Sequence, residues 1–301
     1  MIPKAKIDAL VYIYLYICDI YEKELRFHCE RFSNNQNPAF TDQEILTIYL
    51  FAMAHEQKFK VKHIHGFAKS YLLSWFPKLP SYEGFNKRLN RLSSALCALS
   101  SALVTALPKE KADQMNSILD SMPIITCSGK RSAKVATSIV DKTYNSTKGI
   151  WYYGLKLHLI GFRRPGLLPL PESIVLTEAS ENDLNVFKQN WGGIVNRTFF
   201  GDKIYHDQPY FSQLLTNQNA IMCTPVKGIK GQPECVKQFD KAADDLFSAA
   251  VSRVRQPVES LFNWLEVHTG IQRASLVRST NGLLVHVFGR LAVAFLCFFN
   301  C

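Results

Sequence analysis

The spacing of apolar residues changes at Pro108, and that change restricts the chain to folds that join a helical part to a sheet part. Before Pro108 the spacing is that of helices. "TDQEILTIYLFAMA" opens with Thr41, carries Glu44 three positions later as in a capping box, and then sets Ile45, Ile48, Tyr49 and Ala52 at helical spacing. "LPSYEGFNKRLNRLSSALCALSSALVTAL" offers Ser81 as an N-cap after Pro80, with Leu89, Leu92, Leu96, Leu99 and Leu103 on one stripe. The polar side of its first turns carries Lys87, Arg88 and Arg91. These residues fit either the DNA-facing surface of a helix-turn-helix-like unit or the solvated basic face of an ordinary bundle.

Beyond Pro108 the pattern is that of strands. "NSILDSMPIITC" is an isoleucine-rich buried strand holding one carboxylate, Asp120, and "GIWYYGLKLHLIGF" and "ESIVLTEAS" follow as two more strands in antiparallel hairpins. A helix over "ENDLNVFKQNWGG", a fourth strand ending at Gly201-Asp202, a helix over "QPYFSQLLTNQ" and a fifth strand over "AIMCTPVK" complete an α/β arrangement. The expected fold is a mixed five-stranded sheet flanked by helices, residues 111–301, preceded by an all-helical domain, residues 1–110. The charged stretch "LPKEKADQ" links them.

Charge narrows the partners. The 301 residues carry a net charge of +10, which favours a polyanion, and no basic amphipathic helix points to a membrane surface. Eight cations, Lys130, Arg131, Lys134, Lys142, Lys148, Lys156, Arg163 and Arg164, stand between Cys127 and Pro165 against the single carboxylate of Asp141. That segment is suited to a nucleic-acid backbone, with a solvated basic loop as the alternative. The eight cysteines show no CxxC or Cys/His ligand spacing, as expected of reduced thiols in a cytoplasmic protein. The apolar start is interrupted by Asp8 and Asp19 and reads as a buried helix, not a signal peptide. "GLLVHVFGRLAVAFLCFF" has His286 and Arg290 at its middle, so it reads as a core helix and not a membrane span.

Three carboxylates are singled out. An Asp in an apolar strand is costly to bury unless it is hydrogen-bonded, paired or on a metal, which marks Asp120. Asp202 ends another strand just after a glycine. Glu259 lies in "VSRVRQPVESLFNWLE", whose apolar stripe is Val251, Val254, Val258, Leu261, Phe262 and Leu265 and whose other face aligns Arg255, Glu259, Asn263 and Glu266. Pro257 makes the helix start or bend there. Gathered at one sheet edge, the three carboxylates would form a hard-oxygen site for magnesium or manganese, suited to phosphodiester displacement. Each also has a structural alternative: Asp120 as a turn or strand-end residue, Asp202 as a helix cap, Glu259 as a salt-bridge partner.

Taken together, "LDSMPI", "YGLKLHL", "LTEASENDL", "FGDKIY" and "RQPVESLFNWL" resemble the DDE transposases of bacterial insertion sequences, which have a ribonuclease-H-like catalytic core. The resemblance covers roughly residues 116 to 295. It implies a metal-binding catalytic triad of Asp120, Asp202 and Glu259, with Arg255 facing DNA and Lys203 close to the phosphate. It further implies cleavage at element ends, strand transfer by the freed 3′-hydroxyls, recognition of terminal repeats by the N-terminal helices, and a homo-oligomer on DNA. A stand-alone nuclease and a catalytically silent DNA-binding descendant share the same residues. The chain departs from the Tyr-x2-Arg-x3-Glu-x6-Lys signature of some relatives, carrying Ser252 and Glu266 where Tyr and Lys would stand.

Overall fold

A computed structural model of the chain describes residues 3–31, 38–146, 148–228 and 231–299. In chain order its helices and strands are α1 (Lys4–Ile20), running through a π-helical turn at Tyr21–Leu25 into α2 (Arg26–Cys29), then α3 (Asp42–Glu56), α4 (Val61–Tyr71), α5 (Tyr82–Arg91) and α6 (Ser93–Thr105). Strands β1 (Asp113–Ser128), β2 (Asp141–Asn145), β3 (Ile150–Arg163) and β4 (Leu170–Glu178) follow, with α7 (Asp183–Asn190), β5 (Thr198–Phe200), α8 (Gln208–Gln218) and β6 (Ile221–Cys223) after them. The last helices are α9 (Glu234–Arg255), α10 (Pro257–Thr269) and α11 (Thr280–Phe298).

These elements form two compact units, one of Met1–Leu107, Lys134–Ser138 and Leu265–Cys301, the other of Pro108–Ala133 and Ile139–Trp264. Residues 265–301 therefore group with the N-terminal helices, where the sequence placed them with the sheet. The physical reason is α11, whose apolar side chains need a helical core to cover them and pack on α6 and α3.

In the helical unit the Thr41–Glu44 capping box forms as expected, and Ser81 caps α5 by accepting from Gly84 N–H at 3.3 Å. The leucine stripe is carried by two helices, α5 and α6, that break at Leu92, and all five leucines are buried. One face of α1 is buried through Leu10, Ile13 and Ile17, while Tyr12 and Leu15 lie in the open. Within α11 a Cβ on Gly289 would lie 2.6 Å from the Tyr49 ring, so glycine permits the close approach of α3. The two polar residues of α11 are held inside: His286 Nε2 donates to Ile271 O at 2.8 Å, and Arg290 donates to the carbonyls of Thr269, Phe59 and His286. Both are satisfied by backbone carbonyls in a protein core, in keeping with a core helix.

The sheet unit has one six-stranded mixed sheet in the order β2-β3-β1-β5-β6, with β4 also on β3. Strands β1, β3 and β4 are antiparallel neighbours, and β5 and β6 continue parallel to β1. The sequence expectation of five strands is corrected to six, because β3 outruns β4 and its first residues pair with β2 instead. Leu119, Ile160, Phe187, Trp191, Phe199, Tyr205 and Leu214 pack as one core, joining β1, β3 and β5 to α7 and α8. Helix α9 packs against β1 and β5, and the apolar stripe that runs from its end into α10 is buried at Val251, Val258 and Leu261. Such side chains contribute about 1.5–3 kcal/mol each relative to exposure, enough to fix α9 and the start of α10 against the sheet.

Candidate active site

The register of the parallel pair sets the site. Ile118 of β1 is level with Phe200 of β5, where the pairing ends, and Asp120 and Asp202 each follow two residues later, near enough for the Asp202 charge to act on Asp120. The strand β5 ends at Phe200, and Asp202 there caps the short 3-10 turn Lys203–Tyr205, accepting Lys203 N–H at 2.7 Å. Glycine precedes it because the Tyr205 ring folds back: a Cβ on Gly201 would lie 2.7 Å from that ring.

Glu259 arrives through α10. Helix α9 ends at Arg255 and α10 begins at Pro257, whose missing N–H and fixed φ suit a first helical position. Gln256 between them keeps right-handed helical angles, so Arg255 and Glu259 retain their one-turn stacking across the break. The Arg255 guanidinium bridges two carboxylates, donating from Nη1 to Asp120 Oδ2 at 2.6 Å and from Nη2 to Glu259 Oε1 at 2.8 Å. Arg255 is largely buried, whereas the Glu259 side chain is 60% exposed and open to another cation.

Burial raises the Asp120 carboxyl to about 6. The Arg255 charge and the Ser121 N–H, which donates to Oδ1 at 2.8 Å, oppose that rise, and Asp183 and Asp202 add to it by like-charge repulsion. Asp183 is a carboxylate the sequence did not single out. It is the first residue of α7, after the Asn182 cap, and faces Lys156 Nζ at 3.3 Å and His158 Nδ1 at 3.2 Å, the latter an ion-pair-range contact without the alignment of a hydrogen bond. His158 is fully buried and its Nε2 lies 2.8 Å from Thr177 Oγ1. The Tyr205 hydroxyl is buried and has no hydrogen-bond partner among the described residues; burial first, then Asp183, Asp120 and Asp202, push its pKa well above the usual phenol value. Asp183 lies in "LTEASENDL" and Tyr205 in "FGDKIY". An Asp at a helix start and an apolar-run tyrosine carry no signal beyond capping and packing.

The basic residues separate into several groups. Lys203 forms no ion pair among the described residues and is exposed beside Asp202. Lys156 is turned inward, on Asp183 and the Glu181 carbonyl. Lys130 and Arg131 are exposed in the turn after β1, about 25 Å along the strand from Asp120 at ~3.3 Å per residue, and Lys134 groups with the helical unit. In that unit Lys87 is exposed, Arg88 pairs with Asp42 at 2.8 Å, and Arg91 donates to the carbonyls of Cys29 and Glu30. Glu266 accepts from Gln272 N–H at 2.8 Å.

Among the described residues, no three His, Cys, Asp or Glu side chains converge closely enough to hold a metal ion. The donor chemistry nonetheless fits a hard divalent cation, because Asp120 and Glu259 already share one positive charge, the guanidinium of Arg255. A family model described as a transposase DDE domain matches residues 110–273. No curated protein and no solved structure matches the chain.

Proposed function

Because the chain belongs to the transposase DDE domain family, whose model spans more than half of it, we propose that it is a transposase that cleaves DNA at the ends of a bacterial insertion sequence and joins them to a target. The observation that carries this reading is the Arg255 guanidinium bridging Asp120 and Glu259, with Asp202 following the β5 strand that pairs parallel to the Asp120 strand. Asp120, Asp202 and Glu259 would hold magnesium or manganese, which when bound activates the attacking oxygen and stabilises the leaving one. Arg255 and Lys203 are the cations placed to orient the scissile phosphate. In the first step water attacks the phosphorus and the strand breaks with a free 3′-hydroxyl. In the second that hydroxyl attacks a target phosphodiester, forming one P–O bond as another breaks, with no covalent protein intermediate.

DNA is the partner that the family and the net charge of +10 support. A homo-oligomer on paired ends is supported by α9, which exposes Val236, Phe239, Leu246 and Phe247. The protein would act in the bacterial cytoplasm. The test is cleavage of labelled DNA carrying the element's ends, with magnesium and an unlabelled plasmid, comparing wild type with Glu259→Gln and Asp120→Asn. Nicking and joining by the wild type alone, with DNA binding kept in both variants, is expected; cutting without joining would indicate a nuclease instead. The bridging of Asp120 and Glu259 by Arg255 favours one other reading, a silent DNA-binding descendant, and binding without cutting by all three proteins would establish it.

A further inference from the structure

The helical unit contains a cleft of about 490 Å³ whose wall is cationic. Lys60, Lys62, Arg273, Arg278 and Arg290 line it, and no Asp or Glu does. Lys60, Lys62 and Arg278 form no ion pair among the described residues, and Arg273 is 87% exposed with only a long 3.8 Å contact to Glu266 at the margin. The floor is Arg290, a buried guanidinium held by the carbonyls of Thr269, Phe59 and His286 and by no carboxylate within ion-pair distance. Arg290 makes no salt bridge among the described residues and has only the charge of Glu266, beyond ion-pair distance, to offset it, so the cleft stays net positive and an entering anion would add counter-charge.

The backbone adds to the same field. The cleft is edged by the first turns of three helices, α4 at Lys60, Val61 and Lys62, α5 at Tyr82 and α11 at Ser279 and Gly282. The start of α4 has no side-chain cap, so the partial positive charge of its first turn is not offset by a capping side chain at the cleft's edge. Asn86 and Asn90 contribute neutral amides, and Tyr82 and Leu276 contribute apolar surface. Separated cations, helix starts and amides suit the spaced phosphates of a chain better than a single small carboxylate. We propose that this cleft seats consecutive phosphates of a nucleic-acid backbone, an assignment that rests on the DNA reading above. It places DNA contact on Lys60, Lys62, Arg273 and Arg278, the last held only by the exposed local carbonyls of Ser275 and Val277, and away from Arg88 and Arg91, which reach across the fold to Asp42 and to the carbonyls of Cys29 and Glu30.

The experiment uses the full chain, a fluorescein-labelled duplex of random sequence, and inorganic tripolyphosphate as a second probe. Wild type is compared with Lys60→Ala/Lys62→Ala and with Arg273→Ala/Arg278→Ala, and circular dichroism checks that each variant is folded. Each double variant is expected to weaken duplex binding at least tenfold and to lower the slope of log K against log salt by about 2, near 0.9 per lost phosphate contact. Tripolyphosphate should compete with the duplex on wild type and much less on either variant. Unchanged affinity and slope in both folded variants would overturn the cleft while leaving the DNA reading intact. Tripolyphosphate binding that the variants lose, with no duplex binding by wild type, would keep an anion cleft but overturn its nucleic-acid occupant. Binding of neither probe by wild type would overturn both.

Discussion

Arg255 is the residue on which the candidate site turns. It keeps Asp120 from being a lone carboxylate among Asp183 and Asp202, yet the Asp120 carboxyl is still raised to about 6. With an ordinary value of 3.8 in the unfolded chain, Asp120 binds its proton more tightly when folded. Its stabilising contribution is complete below about pH 4 and is lost as pH rises through about 6. The change is at most about 3 kcal/mol, at 1.36 kcal/mol per unit. Denaturant melts between pH 4 and 7 should show this fall in wild type and not in Asp120→Asn; parallel curves would refute the shift. Removing the guanidinium by Arg255→Ala should cost about 1–3 kcal/mol at pH 7.5. That cost should shrink below pH 6, where Asp120 is protonated, and a constant deficit across pH would show that Arg255 acts through packing alone. Asp120 was legible because a carboxylate inside "SILDSMPI" needs a reason to be there. Asp183 was not, since the first turn of a helix is where an Asp needs none.

Among the elements, those with strong apolar spacing were legible: β1, β3, β4, β5, β6, α7 and α8 lie where the sequence put them. Strand β2 was not, because "DKTYN" alternates no apolar residues and is a strand only through its pairing with β3. Helix α9 was missed over most of its length. Its sole buried residue is Val251, near the end, so a core-facing stripe hardly exists upstream. Helix α11 was read correctly as a core helix but assigned to the wrong partner elements, since an apolar face does not name what covers it. The α11–α3 contact is tight at Gly289, where a Cβ would press into the Tyr49 ring. Gly289→Ala should therefore destabilise the helical unit by about 1–3 kcal/mol despite its better helix propensity. A melting temperature equal to or above wild type would mean that Tyr49 moves aside freely.

Over the whole molecule, the sheet unit is inserted between the two long segments of the helical unit, whose short third segment, Lys134–Ser138, interrupts it in turn. Deleting residues 265–301 should strip the cover from Leu96, Leu99 and Leu103, so the helical unit loses its cooperative melt while the sheet unit keeps its own. A loss of helical signal no larger than the share of the deleted residues would contradict this. The same threading governs how the protein is made. About 160 residues separate Leu107 from Leu265, roughly 10–30 s of synthesis at about 5–20 residues per second. Throughout that interval the nascent helices α1–α6 wait at the ribosome without the last piece of their core. The later-made sheet unit can close first, and α1–α6, though made before it, are finished after it.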